Sequence, residues 1–275
     1  MQTILLHLLA ASLYAGLGIH FWRACVQSAP AARRQCMPPT ERITMLAALV
    51  AHGAALQSAL FPDETMRFGF GFAVSLVVWL AICFYWIETF YARLEGLHGF
   101  VVSAGVAGSL LPLAFPGQHV LANAGSPAFR AHFIIAMLAY SLFTLAALHA
   151  LLMAIAERQL HSGRLTRPFL NLPPLLTMET LLFRLIGIAF VLLTLTLSTG
   201  IFFSETLFGQ AFRLDHKTVF AIISWLLFGA LLVGRYARGW RGRVALRWTL
   251  AGFMALVLAY VGSRFVVEVL LHRAT

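Results

Sequence analysis

Eight apolar segments, each close to 20 residues long, dominate this sequence and restrict what it can fold into. They cover about residues 2–22, 43–61, 69–91, 97–115, 131–156, 181–204, 216–236 and 246–270. A bilayer core needs about 20 apolar residues per helix, so each segment is long enough to cross a membrane. The sequence therefore predicts an all-α fold, a polytopic membrane helical bundle with about eight transmembrane helices.

The composition agrees with a membrane protein. Only 11% of the 275 residues are charged and 60% are hydrophobic, whereas soluble domains carry about 25% charged residues. No connecting loop is long enough for a soluble domain, so we expect one transmembrane domain over residues 1–275. The net charge of +10 is spread over loops rather than gathered in one patch, so we expect no nucleic-acid partner.

The basic residues predict the orientation in the membrane. Fourteen of the 20 flank the first, third, fifth and seventh loops, and cytoplasmic loops are enriched in Lys and Arg. This places both termini outside, in a bacterium on the periplasmic side of the inner membrane. Ile4–Phe21 has no basic residue before it and Arg23 after it, which favours a first transmembrane helix over a cleavable signal peptide.

Several kinds of chemistry find no support in the sequence. Cys25, Cys36 and Cys83 form no CxxC pair and no metal-ligand spacing. There is no phosphate-binding loop and no nucleophile motif. No internal repeat is visible, which disfavours an inverted-repeat transporter. The loop Pro116–Arg130 is rich in Gly, Pro, Ala and Asn, and we expect a flexible or folded-back connector.

Histidines at segment ends carry the clearest chemical signal. His132 begins the fifth segment and His216 begins the seventh. His272 closes the eighth, and His119 precedes the fifth. All four are predicted at the outer surface. Neutral imidazole is an axial ligand of haem iron, and two facing histidines complete a bis-His site. For each residue the alternative is an amphipathic role among the headgroups.

Other polar residues lie within or near the membrane. A mid-membrane group such as His52 needs a partner, either an interhelical hydrogen bond or haem iron. Arg264 and Glu268 are spaced for an i,i+4 ion pair, and Arg264 is alternatively suited to a haem propionate. Glu88 and Glu179 lie near helix ends, where we expect them to reach headgroup water.

Four blocks of sequence carry a resemblance to a known family. They read HFIIAMLAYSLFTLAALHALL, FRLIGIAFVLLTLTLSTGIFF, DHKTVFAIISWLLFGALLVGR and GWRGRVALRWTLAGFMALVLAYVGSRFV. These blocks resemble the cytochrome c assembly (CcsA-like) family, and within it the HemX/YpjD-type inner-membrane proteins. The resemblance implies a CcsA-like core over 68–272, preceded by two less typical helices in 1–67.

The family's synthases imply roles for particular residues. In them haem crosses the membrane and is presented outside to apocytochrome c, in a Trp-rich loop ending in WDPKE between two flanking histidines. By position, His132 corresponds to the first flanking histidine and His272 falls within about one residue of the second. Asp215 and Lys217 correspond to the Asp and Lys of the Trp-rich motif.

The chain departs from the synthases where they cradle haem. The corresponding stretch, SETLFGQAFRLD, contains no tryptophan. His216 replaces the motif's Pro and Thr218 its Glu. Val233 stands where synthases carry an inner histidine. These departures resemble the HemX/YpjD-type branch, which has HKT in place of the motif.

Together these observations predict a membrane protein of cytochrome c biogenesis and haem handling, not an enzyme by itself. It would bind haem b through His132 and either His216 or His272, with Arg213, Lys217 or Arg264 neutralising the propionates. Apocytochrome c and a second membrane assembly protein with a periplasmic domain are the expected partners. The alternative is a non-catalytic, HemX-like membrane regulator or assembly factor of haem metabolism.

Overall fold

The structure is a computed structural model that describes residues 2–27, 37–62, 66–92, 95–121, 124–162, 174–202, 204 and 215–262. Within these residues eight helices are long and apolar enough to cross a membrane, which confirms the predicted helical bundle. They are α1 (Gln2–Gln27), α2 (Pro39–Leu60), α3 (Phe70–Glu88), α4 (Glu95–Ala114), α5 (Pro127–His161), α6 (Leu175–Phe202), α7 (His216–Arg238) and α8 (Gly242–Val257). A π-helical turn, Leu258–Gly262, continues α8.

The helix ends follow from local chemistry. A bilayer cannot hydrogen-bond the backbone, so each apolar segment must close its own hydrogen bonds as a helix. Pro39 and Pro127 begin α2 and α5. Proline has no backbone N–H, and this costs nothing in the first turn, because N–H groups there form no hydrogen bond within the helix. Gly239 ends α7 with a φ of 64°, a left-handed conformation that glycine adopts at low cost.

The helices pack as two groups joined through α5. In the first group α1 contacts α2 and α4, and α3 contacts α2 and α4. In the second, α5 contacts α6 and α8, and α7 contacts α6 and α8. Helix α5 also contacts α3 and α4 and so connects the groups. At the centre of the second group Phe143 stacks on Phe228, with ring centroids 4.0 Å apart.

The two ends of the bundle carry different residues because successive helices alternate in direction. We call the end where α1, α3, α5 and α7 begin the N-terminal face, and the other end the opposite face. At the N-terminal face β1 (Arg67–Phe68) pairs antiparallel with β2 (His119–Val120), so the loop before α5 folds back. The sequence did not predict these short strands. The location of this face outside the cell stays a prediction.

The expectation that Glu88 and Glu179 reach headgroup water is wrong. Their exposed fractions are 4% and 6%. Glu88 Oε2 lies 3.1 Å from Nε2 of the buried His149 on α5. Glu179 accepts a hydrogen bond from the Arg235 guanidinium and lies 3.3 Å from the backbone N of Gly242. A buried carboxylate needs such partners, and these contacts tie α3 to α5 and α6 to α7 near the opposite face.

Candidate functional site

His132 lies near the start of α5, at the N-terminal face, and its side chain is half-buried. Its Nδ1 is 2.8 Å from Oγ1 of Thr199 on α6. A Cβ built on Gly200 would lie 3.6 Å from His132 Cε1, so the ring lies close against α6. The imidazole is therefore held in the contact between α5 and α6.

The Thr199 hydroxyl is the partner of Nδ1 of His132 and bears on which ring nitrogen carries the proton. Thr199 Oγ1 lies 2.8 Å from the carbonyl of Leu195 and 3.1 Å from the carbonyl of Thr196, both within α6. When the single hydroxyl proton is donated to one of these carbonyls, Oγ1 accepts from Nδ1–H of His132. A neutral imidazole then has its lone pair on Nε2, the nitrogen able to ligate iron. Metal-ligating histidines are commonly oriented by such a second hydrogen bond.

Aromatic rings cover the helix turn beside His132. Phe133 meets Phe68 edge to face at 5.0 Å and stacks on Phe129 at 6.2 Å. Phe68 is buried in β1 and pairs with His119 in β2. The paired strands thus bring His119 to the N-terminal face, where the sequence predicts it.

Asp215 is the N-cap of α7. Its Oδ1 accepts hydrogen bonds from both the backbone N and Oγ1 of Thr218, each at 2.9 Å. Burial alone would raise the pKa of Asp215, but the Thr218 hydrogen bonds and the nearby Lys217 and His216 outweigh it and lower the pKa below the ordinary 3.8. Asp215 is therefore an anion at neutral pH and stabilises the start of α7, a role that the sequence analysis did not assign.

The first turn of α7 carries two further predicted site residues. His216 is exposed and Lys217 is half-buried. The amide groups of a helix N-terminus favour negative charge, and Lys217 adds to this preference while Asp215 reduces it. This arrangement suits a ligand that carries carboxylates. His132 and His216 thus lie at the same face, on α5 and α7.

Three predicted site residues, Arg213, Arg264 and His272, lie outside the described residues, as does the Glu268 that was weighed as a partner for Arg264. The stretch 205–214, which aligns with the synthases' Trp-rich loop, lies outside them too.

His52 is fully buried on α2. Its Nε2 lies 2.9 Å from Oγ of Ser75 on α3, so the interhelical hydrogen bond that the sequence analysis considered is formed. The ring also meets His7 and Tyr14 of α1 edge to face, at 6.2 and 5.9 Å between centroids. The role of His52 as a haem ligand stays a prediction.

Sequence reasoning missed Thr199, His7 and Tyr14. Thr199 and His132 are 67 positions apart, and no local pattern connects them. His7 carried a usable signal, because it is, like His52, a histidine inside an apolar segment. Among the described residues, no group of three or more His, Cys, Asp or Glu side chains forms a metal-ion site.

Fold and site together define a multi-pass helical membrane protein with an oriented imidazole at one face. Over residues 41–271 the chain matches the family described as Cytochrome C assembly protein. The chain therefore belongs to the cytochrome c assembly protein family.

Two kinds of relative are similar to this chain over different lengths. The inner membrane protein YpjD of Escherichia coli K12 is 33% identical over 232 residues, 83% of this chain and 86% of that protein. The cytochrome c biogenesis protein CcsA of Prochlorococcus marinus is 39% identical over 88 residues, 32% of this chain and 28% of CcsA. CcsA of Gloeobacter violaceus is 32% identical over 92 residues, which are 34% of this chain and 27% of that CcsA. Similarity to CcsA thus covers about a third of the chain.

Proposed function

We propose that this chain handles haem in cytochrome c biogenesis and holds haem b at the N-terminal face, with Nε2 of His132 as an axial ligand. The observation that carries the proposal is the 2.8 Å hydrogen bond between His132 Nδ1 and Thr199 Oγ1, which engages Nδ1 and so favours Nε2 as the nitrogen that ligates iron. Membership of the cytochrome c assembly family supports it. The similarity to YpjD supports a place in the bacterial inner membrane.

The remaining predicted residues complete the proposed site. His216 or His272 would supply the second axial ligand, because two neutral imidazoles satisfy haem iron. Lys217 and Arg264 would pair with the propionates, since a cation and a carboxylate form charge-assisted hydrogen bonds. Asp215 would act indirectly, by holding the first turn of α7 and with it His216 and Lys217. Haem itself would supply the iron centre.

The proposed partners follow from the chemistry of attachment. Apocytochrome c would supply the thiols that join haem covalently, so this chain need not catalyse that step. A second membrane assembly protein with a periplasmic domain would bring the two together.

The test is the absorption spectrum of the full chain, purified in detergent after haem supplementation. We expect a Soret band in the native chain and its loss or a large shift in His132→Ala, with a smaller effect in His216→Ala. His161→Ala is the matched control, because His161 is exposed near the opposite face. A missing Soret band, or an unchanged spectrum in His132→Ala, would overturn the proposal.

A second candidate is a non-catalytic regulator or assembly factor of haem metabolism. Asp215 favours it, because its cap on α7 explains the presence of the residue without haem. The missing tryptophans of the synthase motif favour it as well. Deletion of the gene separates the two functions. Loss of holo-cytochrome c supports the first, whereas intact holo-cytochrome c with altered haem synthesis supports the second.

A further inference from the structure

A second cluster of polar side chains lies in the first group of helices, away from His132. It comprises His7 and Tyr14 on α1, His52 on α2 and Ser75 on α3. The exposed fraction is 1% for His7 and 0% for Tyr14, His52 and Ser75. His7, His52 and Ser75 all lie in the half of their helices nearer the N-terminal face. The proposed haem site does not use this cluster as a whole.

Within the part of the chain that the structure describes, several polar atoms in this cluster have no hydrogen-bond partner. They are Nδ1 and Nε2 of His7, Nδ1 of His52 and Oη of Tyr14. The backbone of Ser109 comes close to the His7 ring, but not in the geometry of a hydrogen bond. Buried polar atoms almost always have a partner, and an exception points to a functional role, a water or an ion.

The separation of the two imidazoles matches coordination of one metal ion between them. A ring nitrogen lies about 1.1 Å from the ring centroid and about 2.0 Å from a bound metal, so two opposed imidazoles place their centroids about 6.2 Å apart. The observed separation of the His7 and His52 centroids is 6.2 Å. Their planes are inclined by 69°, which coordination tolerates because each ring turns about its own nitrogen–metal bond.

The neighbours of His52 select the nitrogen that would bind. Nε2 of His52 is engaged with Ser75 at 2.9 Å, which leaves Nδ1 to ligate. Neither nitrogen of His7 has a hydrogen-bond partner among the described residues, so either is available as the second ligand. A hydrogen bond on the second nitrogen is the usual support for a metal-ligating histidine.

The donor set and its surroundings favour a particular ion. Both imidazoles are neutral ligands, and the cluster contains no carboxylate to balance a divalent charge. A single positive charge costs much less than a double one in a region of low dielectric constant. Imidazole suits copper, and Cu(I) accepts two opposed nitrogen ligands, whereas zinc sites ordinarily have four. We propose that His7 and His52 together bind one Cu(I) ion.

A porphyrin does not fit between these two rings. Phe72 packs against His7 at 6.5 Å and Tyr14 against His52 at 5.9 Å between centroids. A Cβ on Gly105 would already approach the Tyr14 ring to 2.9 Å. Side chains of α1 and α3, with the α4 backbone at Gly105, therefore pack closely around the two rings and leave no room for a porphyrin.

The test measures Cu(I) binding by the full chain, purified in detergent with a tag that contains no histidine. Anaerobic competition against the chelator bicinchoninate gives affinity, and mass spectrometry gives copper per chain. We expect about one copper per chain and about two nitrogen neighbours near 2.0 Å by X-ray absorption. His7→Phe and His52→Phe should each lose the copper. His161→Ala should retain it.

Two further variants keep the test decisive. Ser75→Ala preserves both ligands but removes the partner of His52 Nε2, so Cu(I) affinity should fall by about 10-fold to 100-fold even if the phenylalanine variants fail to fold. His132→Ala should retain copper, which separates this site from the proposed haem site. Unchanged copper in His7→Phe and His52→Phe, or equal binding of Zn(II), would overturn the proposal.

Discussion

Replacing Thr199 with valine tests how the proposed haem ligand is oriented. The substitution removes one hydroxyl and keeps the volume of the side chain. His132 Nδ1–H then loses the acceptor that lies 2.8 Å away, and the ring is no longer restricted to the form with its lone pair on Nε2. We therefore expect Thr199→Val to weaken haem binding without abolishing it.

The magnitude follows from the environment of the ring. A neutral hydrogen bond contributes about 0.5–1.5 kcal/mol to stability, and loss of an outer-shell partner lowers metal affinity by about 10-fold to 100-fold. Because His132 is half-buried, water can replace part of the lost hydrogen bond. We expect the lower limit, a tenfold rise in Kd, which corresponds to about 1.4 kcal/mol.

Titration of haem into the detergent-purified chain, followed at the Soret band, gives Kd for each variant. Thr199→Ser retains the hydroxyl and should bind like the native chain. Thr196→Val is the matched control, because the Thr196 hydroxyl donates to the carbonyl of Leu192 within α6. If Thr199→Val binds haem normally while His132→Ala does not, the tautomer argument is wrong. Equal weakening by Thr196→Val would indicate a general effect on α6.

Three predictions concern stability, measured as thermal unfolding in detergent. Asp215→Ala should cost about 1 kcal/mol through loss of the α7 cap, whereas Asp215→Asn should retain the cap. Since the pKa of Asp215 is lowered in the folded state, the stabilisation by its carboxylate is present above pH 3.8 and is lost as the pH falls below it. An unfolding temperature of the native chain that stays constant through this acid range would contradict the argument. His149→Ala should cost about 1–3 kcal/mol, because it leaves the buried Glu88 without its hydrogen-bond partner. Adding Glu88→Leu should restore most of that stability, and no recovery would refute the pairing argument. Gly239→Ala should cost about 1–2 kcal/mol, because a φ of 64° is unfavourable for a residue with a Cβ. An unchanged midpoint temperature of unfolding would show that the end of α7 rearranges instead.

The predicted transmembrane architecture is confirmed because it depends on a local property. A segment of about 20 apolar residues must be helical in a bilayer, whatever its neighbours are. The same reasoning placed His132 and His216 at helix starts on one face. The pairing of β1 with β2 escaped prediction, since two residues per strand form no pattern by which to recognise them.

The buried glutamates show where local reasoning fails. Proximity to a helix end suggested that Glu88 and Glu179 reach water. The helices that pack over them, with His149 on α5 and Arg235 on α7 as partners, decide otherwise. Burial depends on which helices are neighbours, and one-dimensional hydropathy does not contain that information.

By itself, the sequence determined the number of transmembrane helices, the faces at which their histidines lie and the resemblance that led to the family. Each of these depends on the length, order or identity of residues along the chain. Only the tertiary structure decided that Thr199 orients His132, that Asp215 caps α7 and that His7 meets His52 at 6.2 Å. Except for the Asp215 cap, these are contacts between different helices, and helix packing brings together residues that the sequence keeps far apart.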